Sequence, residues 1–96
     1  MNLLQELQTR TLSASKSTDE EVQSIYDVIC KICLQQADLG NDHTHIHETD
    51  VCDIAECRVS AFDDAFARAM SRVADSGVAV RSNRHEEHLF MLEWAV

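Results

Sequence analysis

HTHIHETDVC, residues 43–52, is the stretch on which the reading of the chain turns. His43, His45 and His47 alternate with Thr44, Ile46 and Glu48. A period of two puts the three imidazoles on one face of a short strand and Thr44 and Ile46 on the other. The pattern then changes. Thr49 or Asp50 can cap a short helix over TDVCDIAEC (49–57), with Val51, Ile54 and Ala55 as its buried side.

Upstream, Gly40-Asn41 closes a long helix predicted over about 19–38. Ser17 with Glu20, or Thr18 with Glu21, forms a capping box, and Asp19-Glu20-Glu21 suits the positive end of a helix dipole. Val22, Ile25, Tyr26, Ile29 and Cys33 make its apolar stripe, widened by Val28 and Ile32. Before it, Leu3, Leu4 and Leu7 predict a short amphipathic helix over 2–10 that Leu12 extends. SASKST (13–18) reads as a polar break. Residues 1–18 are therefore a leading helix and break, and 19–96 a domain of their own.

Downstream, Arg58-Val59 is a tight junction, and Ser60 with Asp63 signals another helix start. Phe62, Phe66, Ala69 and Val73, with Ala65 and Met70 beside them, define the clearest amphipathic helix in the chain, ending at Ser76-Gly77. VAVRS (78–82) and HLFMLEW (88–94), joined by the turn-like NRHE (83–86), predict a hairpin. In the second strand Leu89 and Met91 share one face and Phe90, Leu92 and Trp94 the other. The expected fold is α+β: a three-helix cluster closed by a small three-stranded antiparallel sheet. Its core is expected from Ile25, Ile29, Ile54, Phe62, Phe66, Leu89 and Met91.

The order helix, short strand, short helix, tight turn, helix, strand, turn, strand resembles the winged-helix form of the helix-turn-helix superfamily. The residues that carry the resemblance are Ile46 in the first strand, Val51 to Ala55 in the second helix, and Ser60 opening the third. Phe62, Phe66, Ala69 and Val73 form the core of that third helix, Gly77 to Arg81 lead into the wing, and Leu89 to Trp94 return. It covers about three quarters of the chain and is a pattern of elements, not a diagnostic string. It implies a regulator whose third helix and wing contact DNA. One departure stands out: the turn CRVS (57–60) has no glycine.

Charge bears directly on that implication. The 96-residue chain carries a formal −9, with 8 Lys and Arg against 17 Asp and Glu. Residues 1–57 hold 11 acids and 3 bases, whereas 58–88 balance 5 arginines against 5 acids. Whole-chain acidity opposes loose nucleic-acid binding but leaves room for a local arginine surface. With the third helix in a groove, Asp63, Asp64, Ala67, Arg68, Ser71 and Arg72 point outward. Arg68, Ser71, Arg72, Arg81 and Arg84 are then the nucleic-acid contacts. Against this, Asp64–Arg68 and Arg72–Asp75 have the spacing of helical ion pairs, and Asp63 and Asp64 repel phosphate.

The competing reading is an acidic protein-binding module, or an inhibitor of the kind viruses use, that docks on basic nucleic-acid-binding machinery. Asp19, Glu20, Glu21, Asp50, Asp53 and Glu56 are its expected partner surface. Either way the leucines of the leading helix, which have no place in the domain from residue 19, imply a homodimer. Zinc is the alternative for the histidines, with His45, His47, Cys52 and Cys57 as ligands. It is disfavoured because Cys30-x-x-Cys33 falls mid-helix and Cys52-x4-Cys57 lacks the usual close spacing. The expected cofactor is none. No Gly-rich phosphate loop or nucleophile motif suggests an enzyme. No apolar run long enough to span a membrane and no export signal are visible, so the expected location is cytoplasmic.

Overall fold

A computed structural model describes residues 2–83 and 85–94. Four helices and three strands follow in the order α1 (Leu3–Ser15), α2 (Asp19–Asp38), β1 (His43–His47), α3 (Glu48–Ile54), α4 (Phe62–Asp75), β2 (Ala79–Ser82) and β3 (Leu89–Glu93). A 3-10 turn, Val59–Ala61, precedes α4. The architecture is α+β: α2, α3 and α4 cluster on a three-stranded antiparallel sheet, and α1 leads the chain.

The sheet order is β1-β3-β2, so the last strand lies between the other two. Its register sets the core. Thr44 faces Leu92, which faces Val80; Ile46 faces Phe90, which faces Ser82. Thr44, Ile46 and Leu92 are buried, whereas His43 and His45 are exposed, as the alternation in β1 predicts. The core expected for β3 is reversed, however. Leu92 is fully buried, with Phe90 and Trp94 packed against the cluster. Leu89 and Met91 lie on the other side of the pleat. This strand is apolar on both faces, so period alone cannot choose between them; pairing with Ile46 does.

Val22, Ile25 and Ile29 of α2 and Val51 of α3 complete the core with Phe62, Ala65, Phe66, Ala69, Met70 and Val73 of α4. Phe66 stacks obliquely on both Phe62 and Phe90, at ring separations of 5.6 and 5.4 Å. Ile54 was expected inside, but it ends α3 and is 66% exposed. Helix α3 is capped by His47, not by Thr49 or Asp50, and ends at Ile54, where the chain becomes extended at Ala55. Its single buried residue is Val51. Ser60 likewise does not cap α4. Its hydroxyl donates to the Ala14 carbonyl at 3.1 Å, and the 3-10 turn leads into the helix instead.

The turn without glycine is explained by its backbone. Arg58 is extended (φ −64°, ψ 137°), and the corner is completed by the 3-10 turn with Ala61 at φ −104°. Among the described residues only Gly40, Gly77 and His88 have positive φ. The glycines close α2 and α4, where a side chain would be strained. His88 (φ 71°) sits just before β3.

Helix α1 runs to Ser15, into the break expected over 13–18, and none of its residues is buried. Asn2 caps it by accepting from the Gln5 N–H at 2.8 Å. The body holds only its C-terminal end, through Ser60 and through Arg58, whose guanidinium donates to the Lys16 carbonyl at 2.9 Å. The radius of gyration, 15.6 Å, exceeds the about 12.5 Å of a compact chain of this length, as an exposed arm requires.

Candidate functional site

The corner between α3 and α4 is organised by one carboxylate. Glu21, in the first turn of α2, is 8% exposed. Its Oε1 accepts from the Thr18 N–H (2.9 Å) and from Arg58 Nη2 (2.9 Å). Its Oε2 accepts from the Arg58 N–H (2.9 Å), Arg58 Nε (3.1 Å) and the Cys57 thiol (3.6 Å). The Arg58 hydrogen bond is the largest of the causes that hold the Glu21 carboxyl far below the usual range, and the two backbone N–H donors add to it. Thr18 and Glu21 also form the complete capping box. Glu21 is therefore a structural anion and not part of an open acidic surface.

The arginines of α4 are directed the same way. All six residues expected to point outward, Asp63, Asp64, Ala67, Arg68, Ser71 and Arg72, are exposed. The arginine partners differ from the expected intrahelical ones. Arg68 donates to the Ser17 carbonyl and hydroxyl (both 3.0 Å) and to Asp19 (2.8 Å). Arg72 donates to Gln23 (2.9 Å) and lies over the Tyr26 ring, 4.1 Å from its centre. Both guanidinium groups thus clasp the N-terminal half of α2. Asp64 instead accepts from the Ser17 N–H (2.9 Å) and hydroxyl, which lower its carboxyl below the usual range. Exposed pairs of this kind add little stability, but they fix where the charges point. Asp63, Ser71 and Asp75 are exposed on α4.

Beside α4, the corner presents a different surface. Ile54 and Val59 are 66% and 83% exposed, five residues apart across the turn. Asp50, Asp53 and Glu56 are exposed within the same ten-residue segment. The Glu56 N–H is fixed by the Ser24 hydroxyl at 2.8 Å, so the segment is pinned to α2. The sequence places these three acids on a surface but misses the exposure of Ile54, which reads as core.

The residues considered for zinc do not converge. His47 is occupied as the cap of α3, its Nδ1 accepting from the Thr49 N–H at 3.2 Å. Cys57 bonds at the Glu21 network, where burial and the adjacent carboxylate push its thiol up to about 11. His45 stands on the outer face of the sheet, and Cys52 packs against the core. Among the described residues no three His, Cys, Asp or Glu side chains are grouped to hold a metal ion. All four cysteines are free, and burial raises Cys33 to about 11.

Of the other residues expected to contact nucleic acid, Arg81 lies on the outer face of β2 and Arg84 lies outside the described residues. No helix among the described residues is long and apolar enough to cross a membrane. No protein-family model matches the chain, and no curated protein or solved structure is significantly similar to it.

Proposed function

We propose that this chain is a non-enzymatic, winged-helix-like module that docks on a basic protein partner through the α3–α4 corner. The observation that carries the reading is that two strongly exposed apolar residues, Ile54 and Val59, and three exposed acids, Asp50, Asp53 and Glu56, fall within one ten-residue segment. Apolar anchors interspersed with charge suit a protein interface, and carboxylates select a partner of opposite sign. The same corner would meet duplex DNA if α3 and α4 docked in the manner of a helix-turn-helix, and there the acids oppose phosphate.

Contact with DNA through the third helix and wing is the second reading. The balanced charge of residues 58–88 favours it. The orientation of Arg68 and Arg72 toward α2 weighs against it.

Homodimerisation through α1 belongs to the same proposal. Leu3, Leu4, Leu7 and Leu12 are each more than half exposed. A helix of 13 residues gains little stability alone, and packing against its copy across a two-fold axis would cover these leucines.

The test is a pull-down with the intact chain and with the variant Asp50→Lys/Asp53→Lys/Glu56→Lys. The expected result is capture of a partner with a basic surface, released by salt and lost with the variant. Equal capture by both proteins would contradict the assignment of the corner.

A further inference from the structure

The outer face of the sheet differs in chemistry from the rest of this acidic molecule. His45 of β1 and Arg81 of β2 both pair with Met91 of β3, from opposite sides. The three side chains therefore stand in one row on one face, with His45 and Arg81 two strand spacings, about 10 Å, apart. The row floors a concavity of about 290 Å³ that Ser82, Asn83 and His85 complete.

Arg81 of this row is left unengaged, unlike the other described arginines. Arg10 is paired with Glu6, Arg58 with Glu21, Arg68 with Asp19, and Arg72 with Gln23. Arg81 makes no hydrogen bond or ion pair among the described residues. The histidines divide in the same way. His43 Nδ1 is 3.0 Å from Asp42, and His47 caps α3 with Nε2 3.9 Å from Glu86. The His45 ring makes no hydrogen bond among the described residues and meets the His43 ring in a T-shaped arrangement, 6.0 Å between centroids. The next row is closed by Glu93, which lies between His43 and Ala79. Asn83 holds the turn by accepting the His85 N–H at 2.8 Å, which keeps His85 at the rim.

We infer that this concavity binds the phosphate group of a small organic phosphomonoester, with Arg81, His45 and His85 on the phosphate and the body of the ligand on Met91. A guanidinium fork on one side and imidazole donors on the other can divide the oxygens of a dianion between them. The thioether supplies an apolar, deformable floor. A carboxylate, with two oxygens and one charge, uses fewer of these donors. A phosphodiester backbone carries one charge per phosphate and meets the repulsion of the whole chain.

Two-dimensional amide NMR titrations of the intact chain test this, with inorganic phosphate, 5′-AMP, acetate and a short random DNA duplex as probes. Saturable shifts confined to residues around His45, Arg81, His85 and Met91 are expected with phosphate and AMP, tighter for AMP. Arg81→Gln should weaken both about tenfold, the loss of one charge-assisted bond. Its spectrum otherwise unchanged would show an intact fold. His45→Gln should weaken them less. Three results would overturn the inference: no saturable shift with phosphate or AMP, equal response to acetate, or tighter binding of the duplex with shifts spreading onto α4.

Discussion

Arg58 reaches Glu21 with three donors, its backbone N–H, Nε and Nη2, at 2.9 to 3.1 Å. One carboxylate at the start of α2 thereby shapes the turn between α3 and α4, 37 residues away. The same guanidinium holds the end of α1 through the Lys16 carbonyl. Arm, long helix and corner are joined at this point.

Acid should therefore loosen the corner. The Glu21 carboxyl is lowered from 4.5, mainly by its hydrogen bonds to Arg58. A group lowered by folding contributes stability that is present above its unfolded value and lost as pH falls through its folded value. Thermal melts should show this loss below about pH 4.5. Glu21→Gln should melt lower at pH 7 and lose less on acidification than the parent. Identical pH profiles for the two proteins would contradict this role.

His88 should act in the opposite sense. Its Nδ1 lies 2.8 Å from Glu48, and that hydrogen bond raises its pKa above 6.5. A raised group contributes stability that is fully present below its unfolded value and lost as pH rises through its folded one. The stability advantage of the parent over His88→Asn should be largest below pH 6.5 and shrink above it. Asn tolerates the positive φ at this position, so the comparison isolates the ion pair. The exposure of the His88 side chain keeps the effect small.

The sheet register predicts which apolar residues matter. Leu92→Ala should destabilise the chain by about 2 to 5 kcal/mol, measured by urea unfolding, because it empties a fully buried site. Ile54→Ala should change stability by no more than about 0.5 kcal/mol. A large cost at Ile54 would place it in a core, and would remove the apolar anchor of the docking surface.

The exposed leucines should set the assembly. Leu4→Lys/Leu7→Lys should convert a dimer into a monomer in sedimentation equilibrium while leaving the helical content of the body intact. A parent chain that is monomeric at tens of micromolar would contradict dimerisation through α1.

Local pattern reads well in this sequence, and non-local partners do not. The strand at 43–47, the limits of α2 and the core stripe of α4 follow from period and caps. Thr18 and Glu21 are recognisable as a capping box. That Glu21 also accepts from Arg58 has no signature at a spacing of 37 residues. Ile54 and Leu89 fail for a related reason: each is apolar, and which side of an element meets the core is settled by neighbours distant in sequence. Arg68 and Arg72 lie on the expected side of α4, but spacing along one helix suggested Asp64 and Asp75 as partners, whereas α2 supplies them.

The central claim is that the α3–α4 corner meets protein and not nucleic acid. Fluorescence anisotropy of a labelled random DNA duplex at low salt, titrated with the intact chain, tests it most directly. The account predicts no increase, because the acids of the corner and the net charge of −9 oppose the phosphates. An increase that Arg81→Ala/Arg84→Ala weakens, with a flatter dependence on salt, would contradict it and establish the DNA-binding reading instead.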